Sequence, residues 1–529
     1  MLINWKTREM IQFLTLIIVK LLLALKVLAS SDRPNLLIMM SDDQSFPHAS
    51  AYGSKMVSTP NFDKVAKEGA LFTNAFCAAP GCSPSRAAFL TGRHIWQIEE
   101  AGTHASSFPS KYLTFMEHLK LKGYHTGYTG KGWGPGNWKI SNRNENPAGP
   151  IYGTKKGNYS QAFKNFIKAK PKDKPFAFWF GSSDPHRAFK KGSGLESGKK
   201  LNNAEVPTFL PDSPEIRNDL LDYAFEVERF DNDCGKFLDI LSQEKMTDNT
   251  MIIVTSDNGM AFPYAKANCT EFGIHMPLAI SWKKKIPGNQ TIGNLLGFVD
   301  LSATIHEAFG IQAEKEYPIS GKSFLKLITN NQTTKKSNDE QIIYAGRERH
   351  SSSRFNTLGY PQRCIRTNQF LLIRNYKPER WPAGPGQKKR GGPDSELGPM
   401  HNGYHDIDAC PTLDYLIQGR ANLEVSKYFQ LAVSKRNFEQ LFKVSEDPGC
   451  INDLAGKPEY KVIQKKLSDQ LTDYLVKTKD PRENANGDIF ETYPRYSSIR
   501  WFPEPKWAQD EPNKIPPTPW LKSTLRIKK

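Results

Sequence analysis

The chain has 529 residues, of which 38% are hydrophobic and 24% charged, and its formal net charge is +17. This hydrophobic content supports a sizeable core and excludes an intrinsically disordered chain. The basic surplus favours an anionic partner such as an acidic polysaccharide, a nucleic acid or a membrane, although an ordinary solvated surface can carry the same charge.

Residues 1–31 have the pattern of a cleaved signal peptide. A short basic stretch precedes a long apolar run, and Val27 and Ala29 supply the small residues that a signal peptidase requires. Lys20 and Lys26 interrupt the run, which disfavours a membrane anchor of about 20 apolar residues. We therefore expect export to a periplasmic, extracellular or lysosome-like compartment, with no membrane span after cleavage. Export and the lack of a recognisable binding motif disfavour nucleic acid.

The seven cysteines do not form a zinc pattern, because there is no CxxC motif and no clustered Cys/His pair. An exported protein allows disulfides, and the odd number leaves at least one thiol unpaired. The cysteines are Cys77, Cys82, Cys234, Cys269, Cys364, Cys410 and Cys450.

Strand and helix patterns alternate through the first part of the chain. The apolar runs in PNLLIMMSDD, KPFAFWFGSSDPH and TMIIVTSDNG each end in polar residues and predict buried strands. TPNFDKVAKEGALF, AAFLTGR and the long NDLLDYAFEVERFDNDCGKFLDILSQ predict helices, with Thr59 as a cap of the first. This alternation predicts an α/β fold with a large, mostly parallel sheet flanked by helices, over residues 32–340.

The pattern changes after about residue 340. Short strands and one amphipathic helix at 460–478 predict a smaller C-terminal subdomain with an antiparallel sheet and a helix, over residues 341–480. The tail at 481–529 is rich in proline and aromatic residues, and we expect it to wrap the surface without regular structure.

Polar residues follow the predicted strands. Asp42 and Asp43 follow the first strand, and Asp257 and Asn258 follow a later one. Ligands bind at the carboxyl ends of parallel strands, and oxygen-rich sets suit Ca²⁺ or Mg²⁺. Each motif alone is also compatible with a turn or a helix cap.

Three basic side chains could complete such a site. Lys131 follows a strand within the glycine-rich YTGKGWGPG, where a lysine and backbone N–H groups can bind an oxyanion, although the spacing is not a Walker motif. His186 in DPHR is a natural proton donor near neutral pH, and a capped loop is the alternative. Lys266 follows Asn258 closely enough to return to the same site.

The stretch CSPSRAAFLTGR, from Cys82 to Arg93, resembles the type I sulfatase signature. PNLLIMMSDD, TGK, DPH, TSDNG and EDPGCINDLAGKPEY resemble further sulfatase segments in the family's order, so that the resemblance covers residues 32 to 480. DDQSFPHASAYG, FGSSDPHRAF and GRERH are most similar to the heparan N-sulfatase (sulfamidase) branch. The resemblance implies an alkaline-phosphatase-like sulfatase fold.

The resemblance also implies a chemistry. A formylglycine-generating enzyme would oxidise Cys82 to Cα-formylglycine, whose hydrate attacks sulfur and later expels sulfate by rebuilding the aldehyde. One Ca²⁺, or Mg²⁺, would bind Asp42, Asp43, Cys82, Asp257 and Asn258. In this scheme Arg86 holds the formylglycine hydroxyl, Lys131 and Lys266 bind sulfate, and His186 is the general acid.

One position departs from the family pattern. Many sulfatases have a histidine two residues after the lysine, where this chain has Gly132 and Trp133. That histidine helps to deprotonate the remaining hydroxyl, so the base stays unassigned. His94 and His275 are candidates, and Trp133 could instead form a wall of the substrate pocket.

The substrate side is predicted to include residues from both parts of the chain, with ordinary salt bridging as the alternative. These residues are Arg187, Glu348, Arg349, His350 and Arg363.

The leading hypothesis is a secreted sulfohydrolase acting on sulfated glycans, with the N-sulfoglucosamine of heparan-type chains favoured. The alternatives are an O-sulfatase acting on another polysaccharide, a phosphoester or phosphonate hydrolase of the same superfamily, and a non-catalytic polyanion-binding relative.

Overall fold

The computed structural model describes residues 33–154, 157–330, 341–386, 404–484 and 486–497, together with Met10, Phe13 and Thr15. Apart from these three residues, the expected signal peptide lies outside the described residues. So do the segment at the expected domain boundary, 331–340, and the tail from residue 498. Within the described ranges, no helix is both long enough and apolar enough to cross a membrane.

The larger sheet is mixed, as the sequence predicts. Its strands are β1 Asn35–Ser41, β2 Ala70–Phe76, β3 His125–Gly130, β4 Phe176–Gly181, β5 Thr250–Ser256, β6 His275–Ser281, β7 Gln290–Ile292 and β8 Leu296–Gly297. They lie in the order β3-β4-β1-β5-β6-β2-β7, with β8 beside β2. The neighbouring strands β3, β4, β1 and β5 are parallel, whereas β6 runs antiparallel to both β5 and β2.

Helices cover both faces of this sheet. They are α1 Pro60–Glu68, α2 Cys82–Thr91, α3 Phe115–Leu121, α4 Tyr159–Ala169, α5 Ser193–Glu196, α6 Pro214–Gln243, α7 Glu271–Ile274, α8 Phe298–Ala308 and α9 Leu325–Thr329. In β1, Leu37 packs in one core with Phe163 of α4, and Leu36 packs in the opposite core with Phe89 of α2. Because both faces are covered, the strand is apolar almost throughout.

The helix that carries the signature starts earlier than the sequence suggests. It begins at Cys82, not at Ala87, with Gly81 in extended conformation at the N-cap. Pro84 lies in the first turn, where a residue without an N–H is tolerated because that N–H would have no partner within the helix.

The smaller sheet is antiparallel, and this predicted feature is confirmed. Its strands β9 Ile343–Arg347, β10 Gln362–Arg366, β11 Phe370–Asn375 and β12 Glu439–Lys443 lie in the order β12-β11-β10-β9. The helices of this part are α10 Pro411–Gln418, α11 Leu423–Val433, α12 Lys461–Lys477 and α13 Ile489–Thr492. One face of β11 packs on the main core through Ile373, and the other packs Leu372 against Leu467 of α12.

The beginning of the tail differs from the expected irregular surface segment. The described residues 481–484 and 486–497 include the short helix α13, and Phe490 is buried in the core beneath α12. Arg482 forms an ion pair with Glu348 (2.6 Å), and the Tyr496 N–H donates to the Ala105 carbonyl (2.6 Å). Buried apolar contacts, an ion pair and a backbone hydrogen bond therefore hold the start of the tail against both the larger and the smaller part of the protein.

Candidate active site

Four parallel strands bring the predicted site residues to one edge of the larger sheet. Asp42 follows β1, Lys131 follows β3, His186 lies beyond β4, and Asp257 follows β5. The Asp42 N–H donates to the Asp184 carbonyl in the loop after β4 (3.0 Å), which joins two of these strand ends. Carboxyl ends of neighbouring parallel strands form the crevice in which such sheets bind ligands.

The centre of this edge is a buried group of three carboxylates, Asp42, Asp43 and Asp257, which we call the acidic site cluster. With Cys82, each offers one ligand atom, and these atoms all lie within 4.8 Å of one another. Cys82 Sγ is 3.5 Å from Asp42 Oδ1 and 3.8 Å from Asp43 Oδ1. The structure therefore brings together residues that lie far apart in the sequence.

Two lysines neutralise the first pair of carboxylates. Lys131 Nζ lies 2.6 Å from both carboxylate oxygens of Asp42, and Lys266 Nζ lies 2.5 Å from Asp43 Oδ2. Burial alone would raise the pKa of both aspartates, but the lysines outweigh it. The pKa of Asp42 falls to about 2 and that of Asp43 falls below its usual value, so both are ionised at neutral pH.

Arg86 holds the third carboxylate and the loop after β3. Its side chain is fully buried, and its Nε donates to Asp257 Oδ2 (2.8 Å) while Nη1 donates to the carbonyls of Lys131 (2.9 Å) and Gly132 (3.2 Å). Burial nevertheless raises the pKa of Asp257 despite Arg86. Of the three carboxylates, Asp257 is therefore the one whose ionised form is least stabilised by the side chains around it.

Asn258 supplies a fourth oxygen. Its amide nitrogen donates to Asp43 Oδ1 (2.8 Å), but its amide oxygen is buried and has no hydrogen-bond partner within the described part of the chain. A buried polar atom without a partner is rare, and a bound cation would satisfy it. Carboxylate and amide oxygens are the ligands that Ca²⁺ and Mg²⁺ prefer, so these residues fit a divalent cation.

Cys82 lies at the N-terminal end of α2, where the helix dipole favours an anion. Its side chain is buried, and burial raises the pKa of the thiol far above its ordinary value. Only the thiolate is a strong nucleophile, so an unmodified Cys82 would be a poor one at neutral pH.

His186 is partly exposed at the opening of the site. Its Nε2 lies 3.8 Å from Asp43 Oδ2, and its Nδ1 lies 2.6 Å from the backbone carbonyl of Arg187. Because that carbonyl only accepts, Nδ1 carries a proton and Nε2 faces the acidic site cluster. Partial burial and the nearby Lys266 lower the pKa of His186, although Asp43 and Asp42 oppose this shift.

Trp133 does not form a pocket wall, because its indole is buried. Its Nε1 donates to the Ser83 carbonyl in the first turn of α2 (3.1 Å), and its ring packs edge-on against Phe108. Its backbone pairs with the side-chain amide of Asn146 (2.9 and 2.8 Å). The residue that replaces the expected histidine therefore supports the helix that carries Cys82.

The two alternative bases also have structural roles. His94 Nε2 hydrogen-bonds the Tyr474 hydroxyl (2.7 Å), and burial lowers its pKa to about 3. His275 is stacked between Phe46 and Phe76, with ring centroids at 4.0 and 4.6 Å. These contacts remove both histidines as candidates for the missing base.

Arg187 does not line a substrate surface. Its two terminal nitrogens bind both carboxylate oxygens of Asp219 (2.7 and 2.9 Å), and its guanidinium lies between the rings of Phe189 and Phe262. The expected substrate contact is therefore corrected to a buried structural ion pair.

Arg363 requires the same correction, and Glu348 shares its ion pairs. Arg363 is completely buried and pairs with Asp480 (2.5 Å) and Glu348 (2.8 Å), and Glu348 also binds Arg482 (2.6 Å). We call these four residues the subdomain ion-pair network. Its groups bind one another, so ordinary salt bridging accounts for them.

Arg349 and His350 lie closer to Cys82. Together with Gly81 and Glu348 they line a cavity of about 10 Å³, roughly the volume that one water needs. A β-carbon on Gly81 would lie 3.2 Å from the His350 ring, whose Nδ1 is 3.2 Å from Asp406. Arg349 donates to the Tyr493 carbonyl (2.5 Å). Their predicted substrate role stays a prediction.

One residue at the site was missed from the sequence. Asp408 lies in the loop before α10, and its Oδ2 is 3.2 Å from Lys266 Nζ, with both side chains buried. The stretch HDIDAC carries no motif that would have indicated this, because only the tertiary fold brings residue 408 to residue 266.

Comparison with known proteins identifies the family of this chain. The family model described as Sulfatase matches residues 34–311. Human N-sulphoglucosamine sulphohydrolase is 26% identical over 504 residues, covering 86% of this chain and 93% of its own. An ulvan-active sulfatase of Formosa agariphila is 24% identical over 498 residues, covering 85% and 76%.

A solved complex of a protein with its substrate D-glucosamine-2-N,6-O-disulfate has the same fold. It superposes with a TM-score of 0.59 and 18% identity over 85% of this chain and 98% of its own. The family model spans more than half of the chain and includes all four strand ends that form the site. The chain therefore belongs to the sulfatase family, whose members hydrolyse sulfate esters or sulfamates.

Proposed function

We propose that the protein is an exported sulfohydrolase that releases sulfate from sulfated glycans, with the N-sulfoglucosamine of heparan-type chains as the favoured substrate. The observation that carries this proposal is that Cys82, the acidic site cluster and two lysines lie close together at the carboxyl edge of the larger sheet. Because the chain belongs to the sulfatase family, we no longer propose a phosphoester or phosphonate hydrolase or a non-catalytic polyanion-binding protein.

Cys82 is the position for Cα-formylglycine, made by a formylglycine-generating enzyme during maturation. The raised pKa of the thiol supports this, because the unmodified residue would be a weak nucleophile. Asp42, Asp43, Asp257 and Asn258 would hold Ca²⁺, or Mg²⁺, with residue 82. The cation would supply Lewis-acid stabilisation of sulfate oxygens.

The remaining residues have distinct tasks. Lys131 and Lys266 bind the sulfate oxygens and stabilise their charge. Arg86 fixes residue 82 relative to Asp257 and the loop after β3. In its doubly protonated form His186 donates a proton from Nε2 to the leaving atom, while its Nδ1 contact with the Arg187 carbonyl orients the ring. The Asp43 carboxylate, 3.8 Å from Nε2, favours this protonated form.

The preference for an N-sulfated sugar has two supports. The human relative that covers most of this chain is named an N-sulphoglucosamine sulphohydrolase. The chain is also strongly basic, which suits a polysulfated polymer.

A second candidate is an O-sulfatase acting on another sulfated polysaccharide. It is favoured by the ulvan-active sulfatases, whose identities of 24% and 25% are similar to that of the human relative.

A panel of sulfated sugars tests the proposal. The purified protein, co-produced with a formylglycine-generating enzyme, is incubated with N-sulfoglucosamine and with 2-O-, 4-O- and 6-O-sulfated sugars, and sulfate release is measured. Release from N-sulfoglucosamine supports the favoured substrate, whereas release only from O-sulfated sugars supports the second candidate. No release from any of them would contradict the proposed activity.

Export is a separate part of the proposal. It rests on the signal-peptide pattern of residues 1–31. Amino-terminal sequencing of the protein from its native host tests it, and a mature N-terminus near Ala29 is the expected result. A mature protein that retains residues 1–31 would contradict cleavage.

A further inference from the structure

Lys266 lies between two carboxylates from different parts of the chain. Its Nζ is 2.5 Å from Asp43 Oδ2 at the end of β1 and 3.2 Å from Asp408 Oδ2 in the loop before α10. All three side chains are at most 4% exposed. One ammonium group therefore links the acidic site cluster to the C-terminal part of the protein.

A divalent cation would change this arrangement. Asp43 belongs to the set that fits a cation, and its Oδ2 now accepts from the Lys266 ammonium. An ammonium and a divalent cation on the same carboxylate repel each other, and burial strengthens this repulsion because the effective dielectric constant is low. A bound cation therefore weakens the contact between Lys266 and Asp43.

Asp408 is placed to receive the displaced ammonium. Its segment is anchored from both sides, because the Thr412 hydroxyl donates to Asp219 (2.6 Å) and the Ser351 hydroxyl donates to the His405 carbonyl (3.1 Å). An anchored carboxylate beside Lys266 can hold the ammonium near the site without a large rearrangement.

We infer that Asp408 is a positioning residue that takes Lys266 over from Asp43 when a divalent cation binds the acidic site cluster. This inference rests on the proposed function. It gives the C-terminal part of the chain, outside the matched residues 34–311, a direct role in the site. Through this exchange Asp408 frees Asp43 for the cation and keeps Lys266 beside the place where sulfate binds.

A double-mutant cycle on Ca²⁺ binding tests the inference. Isothermal calorimetry with CaCl₂ is performed on the full-length protein and on Asp408→Asn, Lys266→Met and the double variant. We expect Asp408→Asn to weaken Ca²⁺ binding by about tenfold or more, as for other residues that support metal ligands. In the Lys266→Met background the same change should have little effect, because no ammonium competes for Asp43.

Equal weakening in both backgrounds would overturn the inference, because Asp408 would then act only through its negative charge. Unchanged Ca²⁺ affinity in Asp408→Asn would overturn it as well. Absence of Ca²⁺ binding by the unaltered protein would overturn both this inference and the proposed metal site, whereas normal binding without coupling would overturn only the inference.

Two further variants guard against indirect effects. Asp408→Glu keeps the carboxylate and should retain most of the Ca²⁺ affinity, even if Asp408→Asn perturbs folding. A loss of affinity in Asp408→Glu equal to that in a properly folded Asp408→Asn would contradict the role of the carboxylate. Asp212→Asn removes an exposed acid that pairs with Arg217, and it should bind Ca²⁺ normally.

Discussion

Two buried groups of charges in this protein neutralise their carboxylates with different cations. In the subdomain ion-pair network, planar guanidinium groups bind carboxylates: Arg363 is paired with Asp480 and Glu348, and Arg482 also binds Glu348. In the acidic site cluster, Arg86 also binds Asp257, but Asp42 and Asp43 are paired with the ammonium groups of Lys131 and Lys266, on long flexible stems.

The two groups also differ in how completely their members are satisfied. Next to the acidic site cluster, the buried amide oxygen of Asn258 has no partner among the described residues, and burial raises the pKa of Asp257. Under the proposed function, the network contributes to stability, whereas the acidic site cluster exchanges its lysines for a divalent cation. This difference can be tested by changing one group at a time.

The largest effect should come from Cys82→Ala. The variant has no thiol to be converted into the aldehyde, so sulfate release should fall by about 10⁴-fold or more, as when other enzymes lose their nucleophile. The midpoint of thermal unfolding should change little, because the site is arranged for activity and not for stability. Sulfate release near the unaltered rate would contradict the role of residue 82.

Asp480→Ala tests the other side of the comparison. It leaves Arg363 buried without its closest carboxylate, which should lower the free energy of unfolding by about 3–5 kcal/mol. Urea unfolding measures the loss, and Ca²⁺ affinity of the folded protein should be unchanged. The matched variant Asp469→Ala removes an exposed partner of Lys465 and should change stability by less than about 1 kcal/mol. If both variants lowered the free energy of unfolding equally, the subdomain ion-pair network would contribute no more to stability than an exposed ion pair.

The ion pair between Glu271 and Arg366 should make the stability of the protein depend on pH. Glu271 binds Arg366 through two hydrogen bonds (3.0 and 2.9 Å), and although burial opposes it, Arg366 lowers the pKa of Glu271 to about 2. Because the folded-state pKa lies below the unfolded value, this stabilisation is present above pH 4.5 and is lost as pH falls towards 2. It amounts to about 3 kcal/mol.

Urea unfolding between pH 5 and pH 2 measures this dependence. Glu271→Gln should flatten the acid limb of the profile, because the variant has no carboxylate to protonate at this position. Glu196→Gln, on an exposed turn of helix, should keep the slope of the unaltered protein. A slope that Glu271→Gln leaves unchanged would contradict the assignment.

The smallest expected effect is stabilisation by the cation. CaCl₂ at 100 times its dissociation constant should stabilise the folded protein by about 2.7 kcal/mol and raise the thermal midpoint. Asp257→Asn removes a carboxylate of the acidic site cluster, so its midpoint should rise much less. An equal rise of the thermal midpoint in both proteins would show that the cation binds outside the acidic site cluster.

Much of this arrangement could be predicted from local sequence. Apolar runs with polar ends identified β1, β4 and β5, and parallel strands place such ends at one edge, which is why Asp42, Asp257 and His186 were found. The helix α2 begins at Cys82 and not at the predicted Ala87, because proline is tolerated in the first turn of a helix.

Long-range pairing could not be predicted. GRERH looked like a substrate surface, yet Glu348 belongs to the subdomain ion-pair network through residues of the tail. Asp408 gave no signal, because its partner Lys266 lies in another part of the chain. The burial of Trp133 depends on Phe108 and on the first turn of α2, and no local pattern near residue 133 shows this.

The central claim is that residue 82 of the working protein is no longer a cysteine. Mass spectrometry of the proteolytic peptide that contains Ser83 and Arg86, from active protein, tests this most directly. We expect the peptide to carry an aldehyde at position 82, and an unmodified thiol only in inactive protein. Full sulfate release from protein whose residue 82 is entirely cysteine would contradict it.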